Sequence, residues 1–189
     1  DRQLEKLVTT IVELDADILG LVEIENDPCG TASLQALVDA VNAVVGAGTY
    51  DFVDAGPILN EEGGPVSGDA IKNAFIYNTA TVGLNGGHEL LDSSDDVRFD
   101  SSVQRPSLAQ SFIDLASGES FMAVVNHFKS KGSVVNGETA IGDGQGNNNP
   151  TRANAAEALV DWLASDPTGT GDTNFMILGD LNAYAMEDP

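Results

Sequence analysis

The chain has 189 residues, 42% of them hydrophobic and 20% charged, which is the composition of one folded domain and not of a disordered segment. Its 30 acidic and 8 basic residues give a formal charge of −22, and this argues against binding a polyanion through a broad basic face. No apolar run approaches the roughly 20 residues of a membrane span. Cys29 is the only cysteine, so the sequence contains no disulfide framework.

The first half of the chain alternates helix and strand patterns. Residues 2–14 carry apolar side chains at helical spacing and predict an amphipathic helix, and "ADILGLVEIEN" then predicts a buried strand that ends on acids. A second helix is expected from a cap at Thr31 or Ser33 to Val45. "YDFVDAG" predicts a strand, and residues 56–69, rich in Gly and Pro, predict a loop.

The second half is dominated by strand patterns. "AIKNAFIYNTATVGL" predicts one strand, or two with a kink near Asn78, and residues 85–104 predict a polar loop. A β-hairpin is expected around Ser117–Gly118, followed by a low-complexity Gly and Asn loop at residues 131–150. Residues 151–164 predict a third helix and residues 175–179 a last strand.

The order of these elements predicts the fold class. The helices are few, fall between groups of strands and accompany hairpins, which favours an α+β architecture over a regular βαβ repeat. We therefore expect a single domain over residues 1–189, with helices outside packed sheets.

Carboxylates and an amide stand at the ends of two apolar strands. Glu23 lies within "LGLVEIEN", and a buried carboxylate needs a positive partner such as Mg²⁺, although an exposed strand end would explain Glu23 and Glu25 equally. Asp180 and Asn182 follow the last strand in "GDLN". Taken by themselves they are typical of a surface turn, with a catalytic role as the alternative.

Histidine and the few bases form a second set. His127 ends the strand "FMAVVN" and suits general acid-base chemistry, with a packed structural histidine as the alternative. Five of the eight bases lie beside the polar candidates, where they would focus an anion such as phosphate; they are Lys72, Arg105, Lys129, Lys131 and Arg152.

Together these segments resemble a known group of enzymes. "LGLVEIEN", "DAIKNAFIYN", "QRPSLAQSF", "VVNHFKSKG", "PTRANAAEALVDWL" and "ILGDLNAY" occur in the order seen in the endonuclease/exonuclease/phosphatase superfamily. The sequence is most similar to secreted bacterial ExeM-like extracellular nucleases and more distantly to pancreatic deoxyribonuclease. The resemblance implies two packed mixed β-sheets flanked by helices, a four-layer α/β/β/α sandwich.

The resemblance also implies roles for individual residues. Glu23 matches a metal-binding glutamate, and Asp180 matches an acid that positions the metal or the nucleophile. His127 matches the histidine that contacts the scissile phosphate, with Asp69 to orient it, and Asn182 matches an amide donor to the phosphate. Contacts to substrate phosphates are implied for Arg105, Lys129, Lys131 and Arg152.

The implied function is Mg²⁺-dependent hydrolysis of phosphodiester bonds in DNA by a secreted, extracellular nuclease, with RNA as an alternative substrate and Mn²⁺ or Ca²⁺ as alternative metals. The nearest rivals are a phosphatase or phospholipase-type phosphodiesterase of the same fold and a non-catalytic acidic module that binds Ca²⁺. The family pattern contains an opening strand and a terminal Asp-His pair that match nothing in these 189 residues. The chain is therefore expected to be a domain truncated at both ends, with weak or no cleavage by itself.

Overall fold

A computed structural model describes residues 2–27, 32–58 and 70–189. Within these ranges the helices are α1 (Arg2–Leu14), α2 (Ala32–Val45) and α3 (Asn149–Ala164). The strands are β1 (Ile18–Glu25), β2 (Tyr50–Val53), β3 (Ile71–Asn78), β4 (Val82–Leu91), β5 (Ser107–Asp114), β6 (Ser120–His127) and β7 (Phe175–Asp180). Thr31, Cys29 and most of the predicted loop at 56–69 lie outside the described residues.

The strands form two sheets. One has three strands in the order β1-β3-β2, paired antiparallel. The other has four strands in the order β4-β5-β6-β7, antiparallel except for the β6–β7 pair, which is parallel. The long connection through α3 permits this parallel pairing, because parallel strands need a crossover.

Three apolar clusters hold the layers together. Side chains of α1 and α2 pack on the outer face of the three-stranded sheet around Ile11, Leu37 and Ile76. Phe75 and Phe112 lie between the two sheets, with their ring centroids 5.5 Å apart. The outer face of the four-stranded sheet is covered by α3. This order of layers is the α/β/β/α sandwich of the predicted α+β class, so the predicted fold class is confirmed.

Most predicted elements are present, and two details differ. The stretch around Asn78 forms two strands, but the polar loop predicted from residue 85 is wrong for its first part, because β4 continues to Leu91. Its pairing with β5 shifts between Leu84 and His88, where Gly86 has a φ of 83°, so the glycines form a bulge and do not end the strand. Ser33 lies inside α2 and its hydroxyl donates to Glu25.

The two sheets face each other so that β1 runs in the same direction as β6 and β7. Ile18, at the start of β1, lines a cavity with Ala123 and Met176. Further along β1, a Cβ atom on Gly20 would lie 3.2 Å from Cγ2 of Val125 and 3.5 Å from Cβ of Leu178. The carboxyl ends of β1, β6 and β7 therefore lie at the same end of the sandwich.

No helix in the described part of the chain is long and apolar enough to cross a membrane. A surface cavity of about 580 Å³ lies between α3 and β7. Its lining is mainly apolar and contains none of the predicted site residues.

Gly179 permits the close approach of β7 to β6. Its φ is 110°, and a Cβ atom there would overlap the backbone oxygen of Asn126 and lie 2.8 Å from its nitrogen. We predict that Gly179→Ala lowers the free energy of unfolding by about 2–5 kcal/mol, because it combines backbone strain with overpacking. Urea denaturation measures the loss.

Gly118→Ala is the matched control for this substitution. Gly118 has a φ of 77° but nothing within 4 Å of the added Cβ, so only the strain remains. Its expected cost is about 1–2 kcal/mol. Equal losses in the two variants would contradict the steric role of Gly179.

Candidate active site

Five of the predicted site residues lie at one end of the sandwich, which we call the polar end; they are Glu23, Arg105, His127, Asp180 and Asn182. Glu23 is near the end of β1, and His127 and Asp180 are the last residues of β6 and β7. Arg105 comes just before β5, which is antiparallel to β6 and therefore begins where β6 ends. The three elements that end here bring together residues that are far apart in the sequence.

His127 and Asp180 face each other across the parallel pair. They are Cα partners in the β6–β7 register, and the amide of Phe128 donates to the Asp180 carbonyl at 3.0 Å. The His127 side chain is only 5% exposed, whereas Asp180 is exposed. The register therefore places a buried imidazole and an exposed carboxylate on adjacent strands.

Asp180 and Asn182 form a turn as well as part of this cluster. The Asn182 amide nitrogen donates to the Asp180 carboxylate at 2.8 Å, and Asn182 has a φ of 51°. This is an Asx turn, a conformation that Asp and Asn adopt readily. The Asn182 side chain donates to the Phe128 carbonyl at 2.9 Å, so the turn is fixed against the end of β6.

A bulge places Glu23 on the surface. The register of β1 against β3 shifts between Leu21 and Ile24, and Glu23 has a φ of 59°. Such a conformation is uncommon outside glycine and Asn, and bulges re-aim side chains at strand ends. The sequence allowed either a buried Glu23 with a positive partner or an exposed strand end. Glu23 is exposed, so the structure agrees with the second alternative.

Positive charge is concentrated beside His127. Lys129 is 7% exposed, and burial, together with the charges of Arg105 and Arg152, lowers the pKa of its ammonium group. Cations that repel one another in a partly dry site are stabilised when an anion arrives. The polar end is thus suited to a phosphate although the whole chain is strongly acidic.

The structure does not place Arg152 at an open phosphate site. The residue is fully buried, and its guanidinium donates to the carbonyls of Lys129, Asn147 and Gln145 at 3.3, 2.7 and 3.2 Å. No surface of this side chain is left for a substrate. Its role is to hold the segment after β6 against the start of α3.

Two further basic residues form ion pairs with acidic residues. Lys72 and Asp54 form a buried ion pair at 2.6 Å, so Lys72 does not contribute to an open phosphate site. Lys131 binds Glu187 at 2.7 Å and lies over the Tyr184 ring, 3.6 Å from its centroid. Lys131 could therefore contact a substrate only while it remains bound to Glu187. Asp69, predicted to orient the histidine, lies outside the described residues.

Sequence reasoning missed the residues that organise the Gly and Asn loop. Asn148 is fully buried and its amide donates to the carbonyls of Ser130 and Ser133, while its side-chain oxygen accepts from Val135. Gln104, 2% exposed, accepts from the amide of Lys129. An Asn directly before a helix was the one available signal.

The donors at the polar end fit a hard divalent cation in part. Glu23 and Asp180 supply two exposed carboxylates, and Mg²⁺ commonly takes one or two carboxylates and fills its shell with water and phosphate. The described residues contain no group of three His, Cys, Asp or Glu that would hold a metal by itself. A cation here would therefore depend on solvent and substrate oxygens.

No protein-family model and no curated protein matches the chain. Solved structures do match. An endonuclease/exonuclease/phosphatase family protein from Bacteroides thetaiotaomicron has a TM-score of 0.63 and 16% identity, covering 98% of this chain and 57% of that chain. A mannosyl-6-phosphatase from the same organism has a TM-score of 0.59 and 16% identity, covering 96% and 57%.

D. rerio TDP2, complexed with a single-strand DNA product, has a TM-score of 0.56 and 14% identity, covering 95% of this chain and 53% of that chain. The chain therefore has the fold of endonuclease/exonuclease/phosphatase proteins, as its motifs predicted. It spans 53% to 57% of the length of these three structures.

Arg152→Met tests the structural role of that buried guanidinium. The variant leaves the carbonyls of Lys129, Asn147 and Gln145 without their charged donor, and we expect a loss of about 2–4 kcal/mol in the free energy of unfolding. Arg98→Met is the control, because Arg98 is half-exposed and its surface ion pairs contribute less than about 1 kcal/mol. A cost at Arg152 no larger than at Arg98 would contradict the assignment.

Lys131→Met tests the pairing of Lys131 with Glu187. The hydrogen bond from Lys131 is the main cause that lowers the pKa of the Glu187 carboxyl. Because its pKa is lowered on folding, the ionised Glu187 stabilises the folded protein. This contribution is present above the unfolded-state pKa and is lost as the pH falls through the lower folded-state pKa. Lys131→Met should therefore raise the pKa of Glu187, measured by carboxyl NMR titration. Lys6→Met, on α1, should leave it unchanged.

Proposed function

We propose that the protein hydrolyses phosphodiester bonds of nucleic acid, with DNA as the main substrate and RNA as the alternative, using a divalent cation. The observation that carries the proposal is the register of His127 on β6 with Asp180 on β7, with Asn182 fixed beside them. A module that only binds Ca²⁺ would account for two carboxylates and an amide, but it has no use for the imidazole of His127 beside them.

The chemistry of each residue supports this reaction. Hydrolysis needs a positioned proton donor or acceptor and groups that stabilise charge on the phosphoryl oxygens. His127 would exchange a proton with the substrate phosphate, and its burial keeps the ring in one place. The Asn182 amide and the Arg105 guanidinium would donate to the non-bridging oxygens, and the charge of Lys129 favours the anion.

Glu23 and Asp180 would hold the cation, which when bound supplies Lewis acidity to the phosphate. Mg²⁺ is the proposed ion, because both ligands are hard oxygen donors. Mn²⁺ and Ca²⁺ share this preference and are the alternatives.

Nucleic acid is the proposed substrate because one neighbour of the same fold holds a single-strand DNA product. A mannosyl-6-phosphatase with the same fold makes a phosphomonoester the second candidate. The fold alone does not decide between them. We also propose an extracellular location, supported by the acidic composition and by the resemblance to secreted nucleases.

His127→Ala tests the proposed function in the full-length polypeptide. The rate of plasmid nicking in Mg²⁺ should fall by about 10²–10⁴-fold, the usual contribution of a general acid or base, and EDTA should abolish the wild-type reaction. His88→Ala is the matched control, because His88 is exposed on β4 and pairs with Gln110, whose partner on β6, Ala123, lies four residues before His127.

The same assay distinguishes the candidate substrates. Supercoiled DNA, RNA, a phosphate monoester and phospholipid head groups are compared under identical conditions. Turnover of the monoester alone would favour the phosphatase, and undiminished nicking by His127→Ala would refute the proposed site.

A further inference from the structure

Tyr184 is an exposed aromatic side chain beside the polar end. It is 76% exposed and follows Asn182 by two positions. Its neighbour Met186 is 92% exposed, so the two form a small apolar projection on a strongly acidic protein. The catalytic roles proposed above do not use either side chain.

Although Tyr184 is exposed, its backbone is fixed. Its amide donates to the Glu187 carboxylate at 2.9 Å, and the amide of Glu187 donates back to the Tyr184 carbonyl at 2.9 Å. The Glu187 side chain is only 4% exposed and binds Lys131. The turn from 184 to 187 is therefore held by an ion pair whose carboxylate is buried and whose lysine is 27% exposed.

A second set of bonds joins this turn to the loop after β6. Gln145 and Asp188 exchange two hydrogen bonds of 3.0 Å, and the Asn149 side chain donates to the Asp188 carboxylate at 2.8 Å. The Arg152 guanidinium in turn donates to the Gln145 carbonyl. The aromatic ring thus stands on a support that extends to the buried start of α3.

One face of the ring is occupied and the other is open. Nζ of Lys131 lies 3.6 Å from the ring centroid, which is a cation–π contact. Since the residue is still 76% exposed, the opposite face is available to a planar ligand. Nucleobases stack on aromatic side chains, and such stacks tolerate any base because every base has a π-face.

We propose that the open face of Tyr184 is a stacking platform for a nucleobase of the strand whose phosphate lies at the polar end. This inference rests on the proposed nuclease function and deepens it: the substrate is a polynucleotide with an unpaired base next to the bound phosphate. Tyr184 is a residue for substrate recognition, and the sugar phosphates and phospholipid head groups considered above carry no base to stack on it.

The test compares two polymers of equal length and charge. One is a fluorescent single-stranded oligonucleotide, and the other is an abasic oligomer with the same phosphates. Dissociation constants are measured by anisotropy in Mg²⁺ with the His127→Ala protein, in which turnover is slow, and with its Tyr184→Ala derivative. Thermal melting verifies that the exposed substitution leaves the fold intact.

Tyr184→Ala should weaken binding of the oligonucleotide by at least about 5-fold, since stacking contributes about 1–3 kcal/mol per base. Binding of the abasic oligomer should not change. Tyr184→Phe should retain the affinity, because the ring and not the hydroxyl makes the stack. Met186→Ala is the control at the adjacent exposed position.

Equal losses for both polymers, no loss for either, or no binding of either polymer would overturn the platform. Failure of the proposed function gives a different result. If the full-length wild-type polypeptide hydrolyses no nucleic acid in Mg²⁺, the nuclease is refuted. If it hydrolyses DNA and Tyr184→Ala does not discriminate the polymers, only the platform is refuted.

Discussion

The parallel pairing of β6 with β7 is the interaction on which the polar end depends. Gly179 allows the two backbones to approach closely, and this register sets His127 opposite Asp180. Asn126 on β6 is fully buried, donates to the Leu178 carbonyl and accepts from the Ser107 hydroxyl, so it joins β5, β6 and β7. Every candidate catalytic group on these strands takes its position from this pairing.

The basic residues show how a chain of charge −22 can offer a site to an anion. Lys72 and Lys131 are neutralised by acids, and Arg152 is enclosed by carbonyls. Lys129 lies near Arg105 and Arg152, and burial first, then the charges of these two arginines, lower the pKa of the Lys129 ammonium group. A local cluster of cations at short range outweighs a distant acidic coat, because solvent screens the long-range field.

The Gly and Asn loop after β6 links the polar end to the proposed base platform. Arg152 and Asn148 hold it from the interior, and Lys131 and Gln145 connect it to the turn at Tyr184. Side chains that a composition-based reading assigns to a solvent-exposed loop are therefore used as internal hydrogen-bond partners. A rigid support of this kind reduces the conformational entropy lost when a ligand binds.

By itself the sequence determined the α+β class, the approximate bounds of most elements and the set of polar residues at strand ends, because apolar periodicity and motif spacing are local properties. Only the tertiary structure decided which of these residues meet. The bulge that exposes Glu23, the burial of Arg152 and the enclosure of Lys72 depend on contacts between segments distant in the chain. Strand pairing and burial are non-local, so no pattern within one segment reveals them.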